Sequence, residues 1–352
     1  MRSHPTLTRR LAPLLLAITL CAALPAGVQA ASGSPVREVS TSFSVRNVNG
    51  SELACATDGR RYAIRGHLVG TRAALKNPRA VTLYLHGLGF GEFFWRYRSA
   101  KGYDFASGMA KRGHVSVVID RLGYGSSGKP TGMASCLGGQ ATIAHQIIGQ
   151  LRSGRYHGSV TPRFRRVGLV GHSAGGSIAQ IETYSFGDAH ALGVLSYADQ
   201  GISALQKNAG AVSSQICAAG GQPVGRANGY ALLGQNAQEA RTGFFSTTPA
   251  NVFAKLAPIL TRNPCGDLAS YLAAMPVSLS KVKEIRKPVF LLQADRDALF
   301  PPPAVRNQAR LYTHAKRVTY RSLPASAHAV TFERGKIQLQ RDLSAWLSRN
   351  DL

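Results

Sequence analysis

The pattern of hydrophobic and polar positions divides the chain into short apolar runs and longer amphipathic segments. Residues 42–48 and 62–69 alternate polar with apolar positions, which predicts two antiparallel strands joined by a turn. Later apolar runs are nearly continuous, as in strands buried on both faces, and they alternate with segments of helical spacing. These runs are residues 81–85, 114–119, 167–170, 192–195, 288–292 and 317–320. The order predicts an α/β fold with a mostly parallel central sheet and helices on both faces.

Residues 201–284 interrupt this alternation. They are rich in Ala, Gly, Asn and Gln, and they contain helical runs such as residues 249–260 but no run typical of a central strand. An insertion of this size between two sheet strands is typical of a cap over one sheet edge. We therefore predict a core made of residues 31–200 and 285–352, with a mainly helical cap at 201–284. Residues 31–40 are expected to be a flexible leader.

Residues 1–30 are predicted to be a signal peptide. Three arginines lie among the first ten residues, an apolar stretch spans 11–24, and the small-residue cleavage site is Val28-Gln29-Ala30. Because the apolar stretch is too short to cross a bilayer comfortably, no transmembrane segment is expected. We expect a secreted protein, with the export route left open.

Four cysteines follow the predicted signal peptide: Cys55, Cys136, Cys217 and Cys265. An even number in an exported chain favours two disulfides, with three possible pairings. The pair Cys217–Cys265 is favoured because both lie in the predicted cap, which leaves Cys55–Cys136 by elimination. A metal site is the alternative, but the chain has no Cys-x-x-Cys spacing or local histidine pairing to support it.

The formal net charge of the chain is +25, from 42 Lys and Arg against 17 Asp and Glu. Such a charge predicts possible electrostatic association with anionic surfaces. The basic residues are dispersed, without a long Lys/Arg block or an aromatic-interleaved stripe, so a nucleic-acid partner is not expected. Solubility of a basic surface is the simpler interpretation.

A Gly-x-Ser-x-Gly motif, Gly171-His172-Ser173-Ala174-Gly175, ends the apolar run at 167–170 and precedes a helix-compatible segment. A serine at such a strand-to-helix turn is held in strained backbone at a helix N-terminus. A free serine hydroxyl is a poor nucleophile, so it needs a general base. The alternative is a Gly/Ser turn without a catalytic role. The two interpretations differ in whether the chain also supplies a general base and an acid.

Partner motifs follow three other predicted strands. They are His86-Gly87-Leu88-Gly89, Asp295-Arg296-Asp297 and Ala327-His328, and the segment 120–127 is a further loop motif. With the serine motif, they resemble the α/β-hydrolase superfamily, in which nucleophile, acid and histidine occur in this order. The resemblance covers the chain after the leader except for the cap, and it implies the α/β-hydrolase fold.

The resemblance implies a catalytic triad in which Ser173 is the nucleophile, His328 the general base and Asp297 the acid that orients the imidazole. Asp295 and Asp199 remain alternatives for the acid, because Asp295 lies two residues upstream and some members take their acid from the position of Asp199. Among other histidines, His86 is assigned to the oxyanion loop, while His172 is expected to point away from Ser173 and His314 to lie on the surface.

The implied oxyanion hole consists of the backbone N–H groups of Leu88 and Ala174. The alternative for residues 86–89 is a simple β-turn. Four phenylalanines are candidate walls of a substrate pocket, although aromatic residues at such positions are as often core. They are Phe90 and Phe94 after the oxyanion loop, and Phe244 and Phe245 in the cap.

Together these residues imply a secreted serine hydrolase that needs no cofactor or metal. It is expected to cleave a carboxylic ester, from a small-molecule or lipid-like substrate, through an acyl-enzyme. A serine rather than an aspartate at the elbow argues against dehalogenase and epoxide-hydrolase chemistry. Action of the same triad on an amide, peptide or C–C bond is the alternative, and a non-catalytic hydrolase-like binding protein is the third hypothesis.

Overall fold

The computed structural model describes Met1, residues 34–233 and residues 236–352. The predicted signal peptide therefore lies outside the described residues, apart from Met1. Among the helices of the described part, none combines the length and apolar character that a membrane span requires.

The secondary structure follows the predicted alternation. The strands are β1 (Val36–Arg46), β2 (Arg61–Thr71), β3 (Ala80–Leu85), β4 (Ser116–Ile119), β5 (His157–Gly158), β6 (Arg166–His172), β7 (Ala191–Leu195), β8 (Gln222–Val224), β9 (Ala227–Ala231), β10 (Asn263–Pro264), β11 (Pro288–Ala294) and β12 (Arg317–Leu323). The α-helices are α1 (Arg72–Lys76), α2 (Phe105–Ala110), α3 (Leu137–Ser153), α4 (Ala174–Ser185), α5 (Ala204–Ala218), α6 (Ala237–Phe244), α7 (Ala250–Leu256), α8 (Cys265–Lys281), α9 (Ala304–Gln308) and α10 (Lys336–Arg349). Short 3₁₀ helices lie at Glu92–Phe94, Gly132–Ala134, Ala257–Ile259, Val282–Glu284 and Ala309–Leu311.

A nine-stranded sheet has the order β12-β11-β7-β6-β3-β4-β2-β1-β5. From β12 to β4 every neighbouring pair is parallel, while β2, β1 and β5 form an antiparallel end. Helices α3 and α4 pack together, as do α2 and α10. The prediction of a mostly parallel sheet covered by helices is confirmed.

The predicted flexible leader at residues 31–40 is wrong for its second half. Strand β1 begins at Val36, which pairs with Thr71, and the ladder continues without interruption to Arg46. Val36 and Val39 are partly buried against the core. The alternation that marks this strand is weak at its start, and its order comes from pairing with β2 rather than from local pattern.

The parallel register brings the loops that carry the predicted site to one sheet edge. Leu85 at the end of β3 pairs with Gly171 near the end of β6, and Ala294 at the end of β11 pairs with Leu323 at the end of β12. Because parallel strands end at the same edge, the segments that follow them converge there.

The cap, residues 201–284, contributes α5 to α8 and a small antiparallel sheet in the order β10-β9-β8. The sequence did not predict this small sheet, because its strands are short and contain Gly and Pro. A disulfide joins Cys217 of α5 to Cys265 of α8, and a second joins Cys55 to Cys136 before α3. These are the two pairings favoured from the sequence.

A buried ion pair connects the cap to the core. Arg121, in the loop after β4, places Nη1 3.0 Å from Oδ2 of Asp267 in α8, and both side chains are at most 1% exposed. The Asp267 carboxylate also accepts hydrogen bonds from the hydroxyls of Ser135 (2.7 Å) and Tyr124 (3.2 Å). Buried charges need such pairing because each has lost its hydration.

We therefore expect Asp267→Asn to lower the free energy of unfolding by about 3 kcal/mol, since it leaves the Arg121 charge buried without its counter-ion. The measurement is urea unfolding followed by tryptophan fluorescence. Arg98→Gln is the control, because Arg98 is 66% exposed where it pairs with Glu38, and it should cost less than about 1 kcal/mol. Equal losses in the two variants would contradict the role assigned to the buried pair.

Candidate active site

The turn between β6 and α4 holds Ser173 in a conformation that side chains rarely adopt. Its φ is 52° and its ψ is −124°, and strain of this kind costs on the order of 1–3 kcal/mol. A Cβ on Gly171 would lie 2.0 Å from the Gly175 carbonyl oxygen, and one on Gly175 would lie 2.3 Å from the Leu85 carbonyl oxygen. Only glycine fits at these positions, so the close packing of β3, β6 and α4 maintains the strained serine.

His328 and Asp297 form a buried pair at the same sheet edge. Nδ1 of His328 lies 2.9 Å from Oδ2 and 3.1 Å from Oδ1 of Asp297. Asp297 Oδ1 also accepts the backbone N–H groups of Leu299 and Phe300. The carboxylate thus favours a proton on Nδ1, which leaves Nε2 as the basic nitrogen. In the described part of the chain, the buried Nε2 has no hydrogen-bond partner.

His172 brings the imidazole of His328 to the serine turn. Nε2 of His172 donates to the carbonyl oxygen of His328 at 2.8 Å, and the two rings lie 4.7 Å apart. Burial, followed by the nearby His328, holds the pKa of His172 well below its usual value, and its ring stacks on Phe94 at 4.1 Å. A neutral, packed His172 supports the loop of His328 rather than acting as a base. Nε2 of His328 makes no hydrogen bond to Ser173. Catalytic hydrogen bonds are often long or absent before substrate binds.

Of the three candidate acids, Asp297 is the one that contacts His328. Asp199 instead accepts hydrogen bonds from Gln180 and Tyr197, each at 2.8 Å, and burial raises its pKa to about 6. Asp295 accepts the backbone N–H groups of residues 325 and 326, each at 3.0 Å. Asp295 therefore shapes the loop that precedes His328.

The loop at residues 86–89 lies directly against the serine turn. A Cβ on Gly87 would lie 2.9 Å from Cβ of Ser173. Within the described residues, the backbone N–H groups of Leu88 and Ala174 make no hydrogen bond. The cap holds the loop from the other side, because the Gly89 N–H donates to Oδ1 of Asn263 at 2.6 Å. The geometry leaves both predicted oxyanion donors available to a ligand.

The base of this loop is fixed by His86 and Arg121. The backbone N–H of Arg121 donates to Nε2 of His86 at 3.1 Å, and its Nε donates to the His86 carbonyl oxygen at 2.9 Å. Burial and the guanidinium hold the pKa of His86 well below its usual value. His86 is therefore a structural part of the oxyanion loop. Asp120 anchors the adjacent loop by accepting the N–H groups of Glu92 and Ser126, each at 2.7 Å.

The four predicted pocket phenylalanines form one aromatic cluster at the junction of core and cap. Phe90 contacts Phe94 at 4.9 Å and Phe244 at 5.3 Å, while Phe244 and Phe245 are 6.2 Å apart. Phe244 also covers the imidazole of His328 at 5.8 Å. It lines an apolar cavity of about 100 Å³ beside Gly89. Phe244 thus lies between this cavity and the catalytic candidates.

Glu333 is a residue of this region that the sequence analysis missed. Its buried carboxylate accepts the backbone N–H groups of Ser246 (3.1 Å), Thr247 (2.8 Å) and Ala327 (3.2 Å). The hydroxyls of Thr247 and Thr248 donate to it at 2.8 and 2.6 Å. Charge-assisted hydrogen bonds of this kind are stronger than neutral ones. Glu333 thereby joins the cap segment after Phe244 to the loop that carries the histidine.

Tyr271 of α8 is a second residue that the sequence did not indicate. It is buried, and burial raises its pKa well above the usual value, while the nearby Ser173 hydroxyl opposes the rise. The cap therefore places a phenol beside the candidate nucleophile. No local motif marks Tyr271, since its position depends on how α8 crosses the core.

The comparisons with known proteins agree with this architecture. The model of the alpha/beta hydrolase family matches residues 83–337, and the chain belongs to this family. A solved thermophilic esterase from Thermogutta terrifontis has 18% identity and a TM-score of 0.61, with 88% of this chain and 99% of that chain covered. The monoacylglycerol lipase of Paleococcus ferrophilus has 17% identity and a TM-score of 0.57, with coverages of 77% and 94%.

The enol-lactonase of Burkholderia xenovorans is also similar, at 14% identity and a TM-score of 0.58, with 82% of this chain and 97% of that chain covered. At these identities the solved structures establish the fold alone. Among curated proteins, no sequence matches the chain. The chain is thus an alpha/beta hydrolase, and its particular reaction has to be argued from its own residues.

Glu333→Gln is expected to loosen the cap and the histidine loop together, because the amide nitrogen would face backbone donors. Loss of charged hydrogen bonds should speed amide hydrogen exchange in residues 244–248 and 325–330 by about tenfold or more. Exchange read by mass spectrometry of peptides from both segments checks this. Glu284→Gln, at an exposed site, is the control. Faster exchange in only one segment would show that Glu333 does not couple the two.

Proposed function

We propose that this chain is an exported serine hydrolase that cleaves carboxylic esters through an acyl-enzyme. The observation that carries the proposal is the His328–Asp297 pair beside the strained Ser173, with Nε2 of the imidazole left free to accept a proton. Nucleophile, base and orienting acid in this arrangement are the groups that acyl transfer requires.

In the proposed reaction, Nε2 of His328 removes the proton from Ser173 as Oγ bonds to the ester carbonyl carbon. The C=O π electrons move onto oxygen, and the oxyanion accepts hydrogen bonds from the Leu88 and Ala174 N–H groups. When the C–O bond to the leaving group breaks, His328 returns its proton to the departing alcohol. Water then repeats the sequence, releasing the acid and restoring the Ser173 hydroxyl.

Asp297 acts on the charge that develops at His328. While the imidazole carries two protons, the carboxylate stabilises the cation and keeps Nε2 directed at the reacting centre. The N–H groups of Leu299 and Phe300 hold the carboxylate in this orientation. Apart from the substrate and water, the reaction uses only the side chains of Ser173, His328 and Asp297 and the two backbone N–H groups of the oxyanion hole.

The substrate side of the proposal is an ester with an apolar portion. Support comes from the cavity of about 100 Å³ beside Gly89, whose lining includes Leu233, Ala240, Phe244 and Leu260. The similar solved structures, which include an esterase, a monoacylglycerol lipase and an enol-lactonase, favour the same substrate class. Two disulfides suit the oxidising compartment that a signal peptide implies, and the net charge of +25 favours anionic surfaces there.

Ser173→Ala should abolish labelling by a fluorophosphonate probe and lower the hydrolysis of p-nitrophenyl esters by about 10⁴-fold or more. Ser214→Ala, at an exposed cap position, is the matched control and should behave like the wild type. The assay uses acetyl to decanoyl esters beside the corresponding anilides. Hydrolysis of the anilides in preference to the esters would replace the ester assignment with amide chemistry, and retained turnover in Ser173→Ala would overturn the mechanism.

Asp297→Asn should lower kcat by about 10⁴-fold with a small change in KM, because the amide favours the wrong imidazole tautomer. Asp295→Asn should lower kcat far less, since Asp295 contacts the backbone of its loop. Steady-state kinetics of both variants and of Asp199→Asn make the comparison. The assignment of the acid fails if Asp199→Asn, rather than Asp297→Asn, removes activity.

A further inference from the structure

A second cluster of ligand-type side chains lies away from the serine turn. His145 projects from α3, Glu182 from α4, and Asp188 from the segment between α4 and β7, and one ligand atom of each lies within 4.8 Å of the others. Glu182 is nine residues beyond Ser173 on α4, which is about 13 Å along the helix axis. The cluster is therefore separate from the candidate active site.

Glu182 is the member that points to a bound cation. Its side chain is fully buried, and Oε1 has no hydrogen-bond partner among the described residues. Its other oxygen receives a long hydrogen bond, at 3.3 Å, from the hydroxyl of the adjacent Thr183. A carboxylate removed from water in this way must either bind a cation or carry a proton.

The other two members also present unpaired ligand atoms. Oδ1 of Asp188 and Nδ1 of His145 are buried without hydrogen bonds. Nδ1 of His145 does lie 2.9 Å from Oδ2 of Asp188, but the two atoms are not aligned as a hydrogen bond. Each residue of the cluster thus carries a buried atom of a type that coordinates metals and that has no hydrogen-bond partner among the described residues.

The basic side chains near the cluster form their ion pairs with Asp188 rather than with Glu182. Arg152 donates to the Asp188 carbonyl oxygen and places Nη1 3.9 Å from Oδ2 of Asp188, so it offsets the Asp188 charge. No basic side chain in the described ranges forms an ion pair with Glu182. The Glu182 and Asp188 carboxyl groups are the two neighbouring acids of the cluster. A shared proton between the carboxyl groups is therefore the competing arrangement.

We propose that His145, Glu182 and Asp188 bind a Zn²⁺ ion. One imidazole nitrogen and two carboxylate oxygens are a donor set that suits zinc, whereas Ca²⁺ prefers six to eight oxygen ligands. The His145 side chain is 42% exposed and that of Asp188 is 17% exposed, so the cluster lies near the protein surface, and a water would be the fourth ligand. Phe186 stacks on the imidazole at 4.3 Å and restrains its plane.

The ion would connect α3, α4 and the segment between α4 and β7, and its role would be stabilisation of the fold rather than catalysis. Because Ser173 directly precedes α4, the metal would fix the far end of the helix that follows the serine turn. This proposal does not depend on the ester reaction proposed above.

The test uses the exported chain, without an affinity tag, stripped with EDTA and dialysed. Isothermal titration with ZnCl₂ should show one bound ion, and an excess of Zn²⁺ should raise the unfolding midpoint by about 5 °C. CaCl₂ and MgCl₂ should leave the midpoint unchanged. Both effects of zinc should disappear in Glu182→Gln and in His145→Ala, of which the second changes a partly exposed side chain and is expected to fold.

His157→Ala is the matched control, because it removes an exposed imidazole on β5, outside the cluster. It should bind zinc as the wild type does, and so should Ser173→Ala. Absence of stoichiometric zinc binding in the wild type would overturn the proposal in favour of the shared proton. Zinc binding that persists in both Glu182→Gln and His145→Ala would also overturn it, by placing the ion elsewhere.

Discussion

The close packing of backbone around Gly171 and Gly175 is the constraint on which the candidate site depends. These positions have no room for a Cβ, since Gly175 lies against the Leu85 carbonyl oxygen and Gly171 against Gly175 itself. The two strands and the helix that meet there keep Ser173 at a positive φ that the residue would not otherwise adopt. The sheet and α4 thus supply the free energy that maintains the turn.

The histidine depends on a different kind of restraint, which comes from hydrogen bonds across loops. Asp297 holds Nδ1 of His328, and His172 holds its carbonyl oxygen. Glu333 fixes the preceding residue, Ala327, while binding the cap segment after Phe244. The imidazole is therefore positioned jointly by the sheet edge and the cap. A change in the cap segment should reach the imidazole through Glu333 without any contact with substrate.

The sequence was informative wherever function or structure leaves a local pattern. The buried strands, the serine turn and the order of Asp297 and His328 all have such patterns, and the fold they predict is confirmed. No local pattern marks the start of β1 at Val36 or the small sheet of the cap. These segments are strands because they pair with strands distant in the sequence. The roles of the predicted site residues remain predictions, although the structure places Asp297 on His328.

Residues that act across long sequence distances escaped the sequence analysis for the same reason. Glu333 follows the histidine without a recognisable spacing, and Tyr271 is an ordinary apolar-face residue of a helix until α8 is placed over Ser173. In the sequence, the position of Glu182 is typical of the polar face of an amphipathic helix. Its burial becomes apparent only when α3 and α4 are packed together. For each residue, only the tertiary structure shows what surrounds the charge or the hydroxyl.

The disulfide between Cys217 and Cys265 has a consequence for how this enzyme class can diversify. It closes a covalent loop that contains β8, β9, α6, α7 and β10. The disulfide joins the last turn of α5 to the first residue of α8. Insertions or replacements within α6 and α7 would therefore leave both anchoring helices in place. The segment between the two cysteines is therefore a unit that could be exchanged in one piece, because its two ends are held together by a covalent bond.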